Sequence, residues 1–95
     1  MLDKSIREET ISFAQEIIRV NSPSWHEEGI AGLVKQKMKA LGYDSVQIDQ
    51  LGNVIGTRHG KHPGPVVLFD GHMDVVPATN LNEWTSDPFS GEIKD

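Results

Sequence analysis

Along the first part of the chain the apolar positions fall at helical spacing. Ile6, Phe13, Ala14, Ile17 and Ile18 line one face of a helix predicted from about Ser5 to Arg19. Ser5 followed by Glu8 reads as a capping box at its start. Asn21-Ser22-Pro23 ends it, because proline restricts the residue before it and cannot continue a helix. A second Ser/Glu pair, Ser24 and Glu27, predicts the next helix, with His26 in its first turn. Its apolar stripe is Ile30, Leu33, Val34, Met38 and Leu41, and Gly42 stands where a helix-terminating glycine belongs. Lys35, Lys37 and Lys39 are read as a solvated face.

The period then changes from helical to alternating. Val46 and Ile48 alternate with Ser45, Gln47 and Asp49, predicting a strand buried on one side. Leu51-Gly52-Asn53 is a turn, and Val54 to Arg58 is the return strand. A loop rich in breakers, His59 to Gly64, leads to a third predicted strand, Pro65 to Phe69. Val66 to Phe69 contains no polar residue, the pattern of a strand covered on both faces. Beyond Pro77 the chain reads as short turns, with neither a repeat nor a low-complexity stretch. Ile93-Lys94-Asp95 reads as the rise of another strand, so the expectation is the front part of a longer α/β domain: two helices followed by strands of a mixed sheet.

The apolar run ends in Asp70-Gly71-His72-Met73-Asp74-Val75-Val76-Pro77. In open α/β sheets functional groups collect at the carboxyl ends of strands. Alternation along an extended chain places Asp70, His72 and Asp74 on a shared face. A neutral imidazole is a common metal ligand, and its second ring nitrogen usually donates to a carboxylate. A histidine and an aspartate two residues apart are weak evidence alone; the frame DGHMDVVP after an apolar strand is stronger. His59 and His62, three apart beside Arg58 and Lys61, are read as a solvated turn, and Trp25 and Trp84 as packing residues. Neither a Gly-x-Ser-x-Gly elbow nor a glycine-rich phosphate loop occurs.

Composition narrows the classes. Fourteen acidic residues against nine basic ones give a net charge of −5, unfavourable for nucleic acid or an anionic membrane as partner. The absence of cysteine excludes disulfides, thiolate metal sites and cysteine nucleophiles. Without a long apolar run or the apolar core of a signal peptide, the expected location is the cytoplasm.

Val67 to Pro77, followed by Trp84-Thr85-Ser86-Asp87-Pro88-Phe89-Ser90-Gly91-Glu92-Ile93-Lys94-Asp95, resembles a family of dinuclear zinc hydrolases. That family includes acetylornithine deacetylase, succinyl-diaminopimelate desuccinylase, carboxypeptidase G2-like enzymes and aminoacylase. GHxDxVP and W-x-x-DPF-x-G-x-I occur there in the same order, and the two helices with Leu51-Gly52-Asn53-Val54 resemble its N-terminal start. The wording is most similar to the branch named for a selenium-metabolism hydrolase.

The resemblance implies that residues 1–95 are the N-terminal portion of a zinc-peptidase-like catalytic domain. It implies that His72 is the first metal ligand and that Asp74 is the carboxylate orienting it. Asp70 receives no role, and Trp84, Asp87, Pro88 and Phe89 support the site structurally. It also implies hydrolysis of amide bonds in peptides or N-acyl amino acids, two Zn2+ per complete site with Co2+ or Mn2+ as alternatives, and a homodimeric parent. A GRGxxDxKG-like segment, a glutamate pair, a further carboxylate and a distal histidine complete the family's site, and this sequence contains none of them. Catalytic zinc takes about three protein ligands, so the segment alone is expected to be inactive. The competing readings are a self-standing α/β binding module and a truncated product without function.

Overall fold

A computed structural model describes residues 3–94. Helix α1, Lys4–Ile18, is opened by Asp3, whose carboxylate accepts the Ser5 N–H at 2.8 Å and the Ser5 hydroxyl at 2.6 Å. The cap is therefore Asp3 and not the predicted Ser5. Both residues offer a side-chain oxygen, and the one preceding the first helical residue takes the role. Helix α2, Glu28–Ala40, starts later than predicted. Its N-cap is Glu27, which makes no side-chain capping hydrogen bond. His26 lies outside the helix, in a turn where Trp25 adopts φ +72° and donates its N–H to the Glu27 carboxylate at 2.9 Å.

The C-terminus of α2 forms as predicted. Tyr43 N–H donates to the Met38 carbonyl at 3.2 Å and Gly42 N–H to the Lys39 carbonyl at 3.0 Å. That double closure needs a left-handed residue, and Gly42 supplies it at φ +82°. The chain then turns into β1, Ser45–Ile48, and β2, Val54–Thr57, paired antiparallel with Val46 opposite Gly56 and Ile48 opposite Val54. Asp49 fastens the connecting turn: its carboxylate accepts from Leu51 N–H, Asn53 N–H and the Asn53 side-chain amide, each at 2.9 Å. These bonds, led by the Asn53 side chain, hold the Asp49 carboxyl below its ordinary range.

The hairpin packs on α2. Gly56 marks the closest approach: a Cβ there would lie 2.6 Å from Met38 Sδ and 2.8 Å from the Tyr43 ring. Ile30 and Ala31 of α2 are the buried apolar residues among those described. Helix α1 buries no residue fully. It is tied to the end of the chain, with Gln15 Nε2 donating to the Gly91 carbonyl at 2.8 Å and Arg19 Nε to the Ser90 carbonyl at 3.0 Å. It is tied to α2 by Lys37, whose ammonium sits 5.3 Å from the centre of the Phe13 ring. Lys37 is thus half-buried over an aromatic face and does not belong to a freely solvated lysine row.

The α/β class and the order of two helices before a sheet match the expectation. The sheet among the described residues is an antiparallel pair, and the third predicted strand does not join it. Residues 65–69 run without regular structure, with Val66 96% and Phe69 92% exposed. An apolar run becomes a buried strand only when neighbouring strands bond both its edges and other elements cover its faces, and no described segment does so. Ile93 and Lys94 likewise form no strand, and Asp95 lies outside the described residues. A short 3-10 turn, Leu81–Glu83, leads into Trp84, whose indole N–H donates to the Thr79 carbonyl at 3.1 Å. Trp84 is half-exposed and Trp25 is nearly fully exposed, so the predicted packing role of Trp25 does not hold among the described residues.

Candidate functional site

The segment between the helices and the segment after the apolar run meet as a short parallel bridge, Pro23 against Val75. Val75 N–H donates to the Ser22 carbonyl at 2.9 Å, and the Ser22 hydroxyl donates to the Met73 carbonyl at 3.1 Å. Ser22 is buried, so its hydroxyl satisfies a carbonyl that would otherwise face a dry junction. The backbone on both sides of Asp74 is therefore fastened to residues 22–23.

His72 and Asp74 are brought together on this support. His72 Nδ1 lies 3.2 Å from Asp74 Oδ1 and 3.0 Å from the Asp74 main-chain carbonyl. Both neighbours accept hydrogen bonds only, the carboxylate being ionised at neutral pH. A neutral imidazole in this position carries its proton on Nδ1 and presents a bare Nε2. The imidazole is 86% exposed, while the Asp74 side chain is 39% exposed. On its other oxygen Asp74 accepts the Ser24 hydroxyl at 2.5 Å. That bond is the main reason the Asp74 carboxyl is held below its ordinary range, and the charge of His72 adds to it. Asp70 is exposed and is not a partner of either residue.

The sequence pattern makes Ser24 a helix cap and carries no sign of this contact. Its partner lies fifty residues away, and no local pattern links the two. The other histidines remain apart from this pair. His59 donates its backbone N–H to the Asp44 carboxylate at 2.6 Å, which is a turn contact. Among the described residues no cluster of three or more His, Asp or Glu side chains is placed to hold a metal.

His72 and Asp74 stand at the rim of a cleft of about 650 Å3. Its walls are mainly apolar and include Phe13 and Ile17 of α1, Val34 of α2, and Val76, Trp84 and Phe89 from the second half of the chain. Here the second half of the apolar stripe predicted for α1, Phe13, Ile17 and Ile18, lines a cleft instead of a closed core.

The chain spans about a fifth of the length of the curated relatives it matches. A succinyl-diaminopimelate desuccinylase of Hydrogenovibrio crunogenus is 39% identical over 87 residues, 90% of this chain and 22% of that protein. A protein of Pyrococcus abyssi named for LysW-lysine and LysW-ornithine hydrolysis is 39% identical over 71 residues, 75% of this chain and 20% of that protein. The uncharacterized protein YgeY of Escherichia coli is 31% identical over 92 residues, 97% of this chain and 22% of YgeY. No family model and no solved structure matches the chain. Among the described residues no helix is long and apolar enough to cross a membrane.

Proposed function

We propose that this chain, which belongs by sequence with the desuccinylase-type amide hydrolases, is the front part of a metal-dependent catalytic domain that cleaves amide bonds of N-acyl amino acids or peptides. The observation that carries the reading is the His72–Asp74 pair: an exposed imidazole oriented through Nδ1, with Nε2 free, at the rim of an apolar cleft. The relatives' names supply the amide-hydrolase class, and the substrate of this chain is proposed from them.

The donor set fits one corner of a metal site. His72 offers a single neutral nitrogen, whereas catalytic zinc takes about three protein ligands. Under this reading the remaining ligands come from a part of the protein outside residues 1–95. Zn2+ is the first candidate and Co2+ or Mn2+ the alternatives, because nitrogen and oxygen ligands suit all three. When bound, the metal pair supplies Lewis-acid activation of water and of the scissile carbonyl. This chain's residues contribute orientation. Asp74 holds the His72 ring and its tautomer, and the bridge between residues 22–23 and Val75 holds Asp74 in place.

Two structural facts favour a segment of a larger domain over a self-standing binding module. The Val66–Phe69 run is exposed along its whole length, and the cleft beside His72 is open and apolar. A binding module would be expected to saturate its strand edges. Location in the cytoplasm and a homodimeric parent remain part of the proposal.

The test is metal content and turnover of the full-length hydrolase. His72→Ala is expected to remove one metal and most activity, and Asp74→Asn to weaken metal affinity by roughly 10–100-fold. Unchanged metal content and turnover in His72→Ala would overturn the reading.

A further inference from the structure

We infer that Ser24 is a positioning residue for the His72–Asp74 pair: its hydroxyl pins one carboxylate oxygen of Asp74 so that the other faces His72 Nδ1. The inference rests on the function proposed above for its purpose, and on the geometry alone for its existence. An aspartate side chain has two rotatable torsions, and this one is partly exposed to water. Two contacts restrict it. Ser24 Oγ donates to Oδ2 at 2.5 Å, within the range of short bonds from a hydroxyl to a carboxylate. His72 Nδ1 faces Oδ1 at 3.2 Å. Because His72 is itself exposed, the packing that normally orients a ring is missing, and the Asp74 carboxylate guides it together with the Asp74 main-chain carbonyl, 3.0 Å from Nδ1. Ser24 can act this way because its own backbone is fastened. Pro23 restricts φ next to it and bridges to Val75, and Ser22 binds on both sides of Asp74, through the Met73 carbonyl and the Val75 N–H.

The start of α2 points the same way. Ser24 and Glu27 have the spacing of a capping box, yet α2 begins at Glu28 with no side-chain cap. The Ser24 hydroxyl is committed across the junction instead of to the helix next to it.

The readout is the imidazole tautomer of His72, followed by 15N NMR on residues 1–95 without metal, at about pH 9 where imidazole is neutral. In the wild type the Nδ1–H form is expected to predominate. Ser24→Ala is expected to shift His72 toward the Nε2–H form favoured by free histidine, and Ser24→Thr, which keeps the hydroxyl, to restore the wild-type ratio. Ser22→Ala serves as the structural control. It removes the buried hydroxyl bond to the Met73 carbonyl but keeps the main-chain bond from Val75 N–H, so it is expected to lower the melting temperature while moving the tautomer ratio less than Ser24→Ala does. An unchanged ratio in Ser24→Ala, or equal shifts in Ser24→Ala and Ser24→Thr, would overturn the inference. A parallel titration of the full-length hydrolase with Zn2+ separates the two proposals. Ser24→Ala is expected to weaken affinity by roughly 10-fold, the low end of the cost of losing support around a metal-bound histidine. If the tautomer shifts but His72→Ala leaves zinc content unchanged, the positioning role stands and the metal reading fails.

Discussion

The stretch from Glu28 to Thr57 and the stretch from Val66 to Lys94 behave differently, although both are rich in apolar residues. In the first, α2 and the β1–β2 hairpin pack on one another, and the turns are closed by bonds within a few residues. In the second, four consecutive apolar residues stand in solvent and the chain follows the walls of an open cleft. Local bonds can complete a helix end or a hairpin. They cannot complete a strand whose partners are distant in sequence or outside the described chain. The difference also separates roles: the first region is a scaffold, and the second carries the histidine and the aspartate.

The largest effect on this contrast is expected from Ile30→Ala. Ile30 of α2 is 4% exposed and borders the cleft, and truncating such a residue costs about 2–4 kcal/mol. Urea unfolding followed by circular dichroism should record it, and a loss below about 0.5 kcal/mol would mean that the scaffold is not the stable half. Gly56→Val should come next, at about 1–3 kcal/mol, because its branched side chain must displace Met38 and the Tyr43 ring. Its amide protection should fall in α2 and the hairpin before it falls around residues 72–75.

A pH dependence tests the hairpin turn. The folded pKa of Asp49 lies below its unfolded value, the Asn53 hydrogen bonds being the first cause. Its stabilising contribution is present above the unfolded value and is lost as pH falls through the folded one. The protection of the Leu51 and Asn53 amides, their exchange rate relative to that of an unstructured chain at the same pH, should therefore be steady from neutral pH down to about pH 4 and fall below it. Asp49→Asn should flatten that acid response, and an equal response in both proteins would remove the turn from this account. The smallest effect is expected from Phe69→Ser. At 92% exposure Phe69 contributes little to this chain's stability, and the change should stay within about 0.5 kcal/mol. Its consequence should appear in light scattering as weaker self-association, since the substitution interrupts an exposed apolar run able to pair with another copy. A loss of several kcal/mol would mean that the run is packed in solution and that the two regions are alike.

Much of the scaffold was legible beforehand because its signals are local. The helical periods of α1 and α2, the glycine ending α2 and the alternation of β1 each depend on residues within one or two turns. The misreadings fell where two local options competed. Asp3 and Ser5 both offer a cap, and Ser24 could cap a helix or reach across to Asp74. The apolar run at Val66–Phe69 departs from its predicted strand for a different reason: hydrophobicity specifies that a segment is to be covered, not what covers it.

By itself the sequence determined the two helices, the hairpin, the absence of cysteine chemistry and the His72-x-Asp74 spacing in its DGHMDVVP frame. Those follow from short-range backbone preference and from the identity of side chains. Only the tertiary structure decided that Ser22 and Ser24 fasten the backbone and the carboxylate at Asp74, and that α1 lines a cleft with residues 75–79 and 84–89. Hydrogen bonds and apolar contacts between residues so far apart in the chain depend on where folding places them, and no periodicity records that distance.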